Sequence, residues 1–301
     1  MSYTYLALLF LLSAIWGASF LFIKIGVSEI GPITFSALRV LIGSLVLLAI
    51  VFTRRRRERM DRSMWRRMVF VGLLGTALPF SLIGWGTQFI SSGLSAILNA
   101  TTPLFSFILA TALGSEDLRA VRAAGVVVGI GGIVALMWPQ LQGGWHASLL
   151  GELAVVAGSL CYAISAVYMR RHLSGQPALL TALGQVGSGC LILIPFSLLE
   201  QPWQFRPSPA AVGALLALGS VGTGLAYIIY VRLIQGIGAT GASVVTQIVP
   251  LFAVFWGWLV LAERPGWNAV LALGMIVGGI LLVNGLPSRR RPEAAVVPAA
   301  E

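Results

Sequence analysis

Ser13, Trp16 and Ser19 recur later in the chain as Ser159, Tyr162 and Ser165. In each set an aromatic hydrogen-bond donor lies between two small hydroxyls at three-residue spacing, which places all three on one face of a helix. An indole N–H or phenol O–H deep in an apolar run needs a partner, whereas serines alone also serve close helix packing. Thr76 with Phe80 is repeated as Thr223 with Tyr227, again on one face, and Tyr230 extends the second pair. Asn99 lies one turn before Pro103, as Thr246 lies one turn before Pro250. Ser95, Asn99, Thr102 and Ser106 form one polar face; Ser243, Thr246, Gln247 and Pro250 form another. The prolines release backbone carbonyls and permit bending. Neutral polar and aromatic groups of this kind bind a small amphipathic or zwitterionic solute, while multiply charged phosphates call for a basic cavity.

Charged candidates are few. Arg39 lies about two turns into the second apolar run and Glu152 in the first turn of the sixth. Charges inside a membrane are functional by default, so both are candidates for coupling or gating, alongside Pro103 and Pro250. The alternatives are duller: Arg39 can snorkel and Glu152 can face the positive end of its helix. Catalysis lacks its parts. The only aspartates, Asp61 and Asp117, fall in loops, as do the only histidines, His146 and His172. A magnesium–diphosphate site, a serine–histidine pair and a phosphate-binding glycine loop with its lysine are all missing, so no enzyme, metal or cofactor is expected. Cys161 and Cys190, the two cysteines, sit in apolar runs and provide neither a disulfide framework nor zinc spacing.

These residues must be positioned by membrane helices. Of the 301 residues 57% are apolar and 10% charged, against about 25% charged in soluble domains. A helix needs roughly 20 apolar residues to cross the hydrocarbon. Ten such runs are expected, near 3–25, 32–52, 68–89, 92–113, 120–138, 149–169, 177–199, 210–234, 239–262 and 267–285. The first lacks a basic leader and reads as an uncleaved helix.

The net charge of +10 points to topology and not to nucleic acid. With both termini cytoplasmic, sixteen of the 20 basic residues fall inside, as the positive-inside rule requires. Eight of these arginines, from Arg54 to Arg67, follow the second run, and Arg289, Arg290 and Arg291 lie in a proline- and alanine-rich tail. That tail, 286–301, is expected to be disordered and cytoplasmic.

The chain also repeats itself. At an offset of 147, Gln88, Ile90, Pro103, Leu104, Phe105, Glu116, Gly131, Gly132 and Ile133 meet identical residues from Gln235 to Ile280. Earlier in the halves the offset is 146, where Lys24 meets Arg170. Each half, 4–138 and 149–285, holds five runs, so the second enters the membrane from the opposite side. The expected fold is all-α and polytopic, with ten transmembrane helices in two inverted five-helix repeats, the architecture of alternating access with a site near the midplane. The spacings Gly125 to Gly129 and Gly274 to Gly278 are GxxxG patterns, which serve close packing within one chain or between two copies in a homodimer.

The segment Trp16-Gly17-Ala18-Ser19-Phe20, the stretches from Pro103 to Glu116 and from Pro250 to Glu263, and the Gly-Gly pairs of the fifth and tenth runs resemble the drug/metabolite transporter superfamily, and within it the EamA-type bacterial exporters. The resemblance covers about residues 4–285. It implies an inner-membrane permease that exports amino acids or related metabolites, through a cavity formed by helices 1, 3, 4, 6, 8 and 9. On that reading Trp16, Ser19, Thr76, Phe80, Asn99, Tyr162, Ser165, Thr223, Tyr227, Thr246 and Gln247 are the substrate-binding residues. A drug exporter, or an importer of the same fold, is the alternative, because no residue selects a substrate or fixes the direction of flux.

Overall fold

The structure, a computed structural model, describes residues 3–53, 62–142 and 146–284. Among the described residues nine helices are long and apolar enough to cross a membrane: α1 (Tyr3–Val27), α2 (Pro32–Thr53), α3 (Met64–Phe89), α4 (Ser92–Ala112), α5 (Ala120–Gln142), α6 (Ala147–His172), α7 (Ala178–Glu200), α8 (Pro209–Gly238) and α9 (Gly241–Leu261). A shorter apolar helix, α10 (Trp267–Asn284), follows. The chain is an all-α polytopic membrane protein. Arg54 to Arg59 and the tail with Arg289, Arg290 and Arg291 lie outside the described residues. Several helices overrun the apolar stretches: α3 starts by Met64, α5 reaches Gln142 and α6 reaches His172. Backbone hydrogen bonding continues into the wet interface, where apolar side chains are no longer required.

Exchanging the two halves leaves the packing pattern unchanged. α5 packs on α10 and α2 on α7, pairs that map onto themselves; α3 on α6 corresponds to α8 on α1, and α4 on α6 to α9 on α1. The correspondence extends to single atoms. Ser13 Oγ donates to Val245 O at 3.4 Å, and Ser159 Oγ donates to Leu98 O at 3.3 Å. Both α3 and α8 contain a π-helical segment at the same place, Leu73–Ala77 and Leu218–Leu225. Such wide turns concentrate at functional sites. Each is backed by a glycine of the facing helix: a Cβ on Gly43 would lie 2.6 Å from Thr223 Cγ2, and one on Gly189 would lie 2.6 Å from Thr76 Cγ2.

On the side where α3 turns into α4, three helix N-termini receive a carboxylate from elsewhere in the chain. Glu200 accepts from Ile33 N and Thr34 N at the start of α2, at 3.1 and 2.7 Å. Glu263 accepts from Ser92 N, Ser92 Oγ and Gly93 N at the start of α4, at 2.8, 2.8 and 3.3 Å. Glu29 accepts from Ser208 N and Oγ at the start of α8, at 2.5 and 2.8 Å. Negative charge at these ends satisfies orphan N–H groups and the helix dipole together. The Ser208 backbone N–H, aided by its hydroxyl, holds the Glu29 carboxyl below its ordinary pKa. This tie is therefore present above the ordinary carboxylate range and is lost as pH falls through the lowered value.

The GxxxG spacings have separate fates. A Cβ on Gly125 would meet Gly279 O at 2.6 Å and one on Gly129 would meet Leu104 at 2.2 Å, so that face is covered within the chain, whereas Gly274 and Gly278 face open space. Gly125→Ala is expected to destabilise the fold by about 1–3 kcal/mol through overpacking, and Gly278→Ala to change it by less than about 0.5 kcal/mol. Thermal unfolding in detergent checks this: equal melting temperatures for the two variants would contradict the α5–α10 contact.

Candidate substrate-binding site

Residues of both halves line a cavity of about 340 Å³, within the range that holds a small-molecule ligand. The broken stretches of helix shape it. α4 is interrupted at Ala100 and Thr101, just before Pro103, whose ring removes the hydrogen bond that Asn99 O would otherwise accept. Thr102 Oγ1 supplies that carbonyl with a donor at 2.8 Å. The π-helical segments of α3 and α8 bring Gly75, Gly222 and Thr223 to the wall.

The structure gathers most of the residues singled out from the sequence. Trp16 and Ser19 of α1, Phe80 of α3 and Asn99 of α4 line the cavity, and so do Tyr162 and Ser165 of α6. Thr223 and Tyr227 of α8, Thr246 and Pro250 of α9, and Arg39 and Pro103 complete that group. Three do not line it. Thr76 is fully buried against α7, where Gln185 Nε2 approaches its hydroxyl at 3.4 Å. Gln247 sits next to the lining positions 246, 249 and 250 but is not among them, since one residue along a helix is a 100° turn. Glu152 is fully buried outside the cavity, and neither carboxylate oxygen has a hydrogen-bond partner. Arg39 and Glu152 are not paired: Arg39 Nε donates to Thr223 Oγ1 at 3.1 Å instead.

The aromatic wall is ordered by contacts among its members. Tyr162 meets Phe80 edge-on with centroids 6.2 Å apart, and Trp16 meets Tyr230 at 5.3 Å. The Arg39 guanidinium carbon lies 3.9 Å from the centroid of Phe80, a cation–π geometry. Ser165 Oγ is buried at the cavity edge without a hydrogen-bond partner, a polar atom that a bound solute can satisfy.

Gln185 is the polar side chain of the lining that sequence reasoning missed. It stands 146 positions after Arg39, and its amide donates to Gly75 O at 2.8 Å beside Thr76, as Arg39 does to Thr223. The repeat offset would have found it; inside one apolar run a lone glutamine carries little signal. Arg39 and Gln185 add α2 and α7 to the six helices implied by resemblance, and Met169 of α6 also lines the cavity.

The two inter-helix corners related by the repeat are in different states. At the α3–α4 corner Lys24 Nζ donates to Thr87 O, Gln88 O and Ile90 O at 2.8, 3.1 and 2.8 Å. Gln88 Nε2 donates to Val27 O at 2.9 Å, and Glu263 holds the start of α4 as described. At the α8–α9 corner the counterparts bond to one another instead. Arg170, in the place of Lys24, pairs at 3.0 Å with Glu116, in the place of Glu263, and Glu116 also binds Arg122 at 3.1 Å. The backbone there passes through Gly238 at φ 76°, a left-handed conformation that glycine adopts without steric cost. Thr246 is exposed while its counterpart Asn99 is half-buried.

A polytopic bundle with a cavity lined from both of its halves is the architecture of a solute-handling membrane protein, and the comparisons agree. The profile of the EamA-like transporter family matches residues 4–138 and again 149–285; the chain belongs to this family, which is one of transporters and not of enzymes. It is 26% identical over 282 residues to the uncharacterized transporter YoaV of Bacillus subtilis strain 168, covering 92% of this chain and 95% of that one. The uncharacterized inner membrane transporter YedA of Escherichia coli K12 is 27% identical, with 92% and 89% covered. A transporter of Archaeoglobus fulgidus is also 27% identical, with 93% and 94% covered. A solved crystal structure at 19% identity superposes with a TM-score of 0.66 over 97% of this chain and all of that one, which shows the fold alone.

In a variant lacking Cys161 and Cys190, Asn99→Cys and Gln185→Cys should react with a membrane-permeant thiol reagent at least about 10-fold faster than Thr76→Cys. Equal rates would mean that the cavity is misplaced.

Proposed function

We propose that the protein is an inner-membrane secondary transporter that exports small amphipathic metabolites, amino acids or their derivatives, by alternating access between the repeats 4–138 and 149–285. One observation carries this reading: equivalent corners on opposite sides of a single cavity, one clamped by Lys24 and Glu263 and the other released. A symmetric chain holding its two corners in unlike states has a second state of the same design, in which the roles are exchanged. In that state Arg170 takes the carbonyls of the α8–α9 corner, Glu116 caps the start of α9, and Lys24 is freed to pair with Glu263. Access in the present state is from the α8–α9 side. Trp16, Tyr162, Tyr227 and Phe80 enclose the apolar part of the solute, and Ser19, Asn99, Ser165, Thr223 and Thr246 meet its polar atoms.

The arginine distribution supports a cytoplasmic side for both termini and the tail 286–301, and the likeness to YedA, described as an inner membrane transporter, supports the inner membrane. Export as the direction of flux rests on the resemblance of the sequence to EamA-type exporters. A homodimer through glycine faces would use α10, where Gly274 and Gly278 are open. Thr76, Gln247 and Glu152 are left without contact to the solute.

Efflux of a mixed amino-acid pool from proteoliposomes of defined orientation tests this reading. Selective loss of some solutes is expected, lowered about 10-fold or more by Tyr227→Ala or Asn99→Ala at unchanged membrane abundance. Normal flux in both variants sinks the site assignment. The clamp exchange is checked separately, by labelling Asn99→Cys in the cysteine-free variant with an impermeant thiol reagent. Labelling from the α8–α9 side is expected, and adding Lys24→Ala should open a route from the α3–α4 side. If Lys24→Ala leaves that side closed, the lysine does not hold the corner.

A further inference from the structure

We infer that the cavity selects monoanions, a single carboxylate carried on an apolar or aromatic body, and that Arg39 receives the carboxylate. The inference deepens the transport reading and rests on it. Arg39 is the one charged residue among those lining the cavity, and no aspartate or glutamate lines it. The ion pairs among the described residues join Glu116 to Arg122 and Arg170, at the α8–α9 corner. The guanidinium thus enters a mostly apolar cavity without a counter-ion.

Its geometry says what it awaits. Nε is spent on Thr223 Oγ1 at 3.1 Å, and Phe80 covers the guanidinium at 3.9 Å. No described residue accepts from either Nη. One N–H from each Nη together form the edge that grips a carboxylate with two parallel hydrogen bonds. The repeat supplies an internal control. The equivalent position is Gln185, which meets the equivalent threonine and the Gly75 carbonyl with a neutral amide. Joining this helix to the π-turn of its neighbour therefore requires one neutral N–H donor. A full guanidinium exceeds that requirement, and the surplus is a charge and a bidentate edge.

The same inventory disfavours two other charge types. The ammonium of a zwitterion would find only neutral oxygens in the lining, without a carboxylate to offset its desolvation. A dianion would leave its second charge unpaired. The site therefore ranks N-acylated or deaminated relatives of amino acids, which keep the carboxylate and lack the ammonium, above the free amino acids.

Equilibrium binding to the purified full chain in nanodiscs tests this with matched probes: monocarboxylates with apolar bodies of increasing size, such as butyrate, 3-phenylpropionate and indole-3-propionate, each beside its primary amide, and phenylalanine as the zwitterion. At least one carboxylate is expected to bind about 10-fold or more tightly than its amide and than phenylalanine. Arg39→Gln should erase the preference for carboxylate over amide, and Arg39→Lys should restore part of it. The inference is overturned if no carboxylate in the series outbinds its amide, if phenylalanine binds as tightly as 3-phenylpropionate, or if Arg39→Gln keeps the preference. The probe comparison on the unmodified protein stands even where an Arg39 variant fails to fold. Failure of the transport reading is distinguishable: carboxylates that bind through Arg39 but never cross proteoliposomes would sink transport alone, and flux without a carboxylate preference would sink only the present inference.

Discussion

A backbone amide or carbonyl released inside a bilayer must find its partner within the protein, and this requirement governs every irregular point of the bundle. The α3–α4 corner exposes a run of carbonyls and then a run of amides; Lys24 takes the first and Glu263 the second. The carbonyl freed by Pro103 goes to Thr102. A transporter needs such breaks, because an uninterrupted helix has no backbone groups to offer and nowhere to bend. The same requirement makes each break costly unless a side chain arrives, from the same helix as Thr102 does or from elsewhere in the chain as Lys24 and Glu263 do. Movement is consequently tied to long-range contacts: a corner can change shape only when the residues that satisfy it move as well.

The glycines set the other half of the mechanics. Between helices in lipid, association rests on close packing and hydrogen bonds and not on expulsion of water. α1 meets α9 where a Cβ on Gly17 would lie 2.5 Å from Phe252 Cβ, and α3 meets α6 where one on Gly86 would lie 2.4 Å from Gly151 O. Contacts at backbone distance resist sliding.

Much of this organisation was legible in the sequence, because hydropathy and the repeat offset are both one-dimensional signals. Ten runs, their order and the alignment of Trp16 with Tyr162 needed nothing more. What stayed hidden depends on rotation about a helix axis. Thr76 and Thr223 look equivalent in register, yet only Thr223 lines the cavity, and the Gln185 amide lies against Thr76. The π-turns, which reset the facing of everything after them, leave no mark in hydropathy. Glu152 reads as a helix-end charge from its position, but the approach of α3 at Gly86 to the adjacent Gly151 places that end of α6 inside the protein. Gln185 was hidden for the opposite reason: its meaning comes only from Arg39, one repeat away.

The π-helical segments occur at the same offset in both halves, each against a glycine of the same facing helix. The segments are five and eight residues long and overlap when the halves are aligned, so the widened turn belongs to both halves of the fold. Within the chain α2 and α7 are equivalent surfaces, as are α5 and α10, so both contacts have the isologous form of a two-fold dimer interface, made here between the halves of one chain.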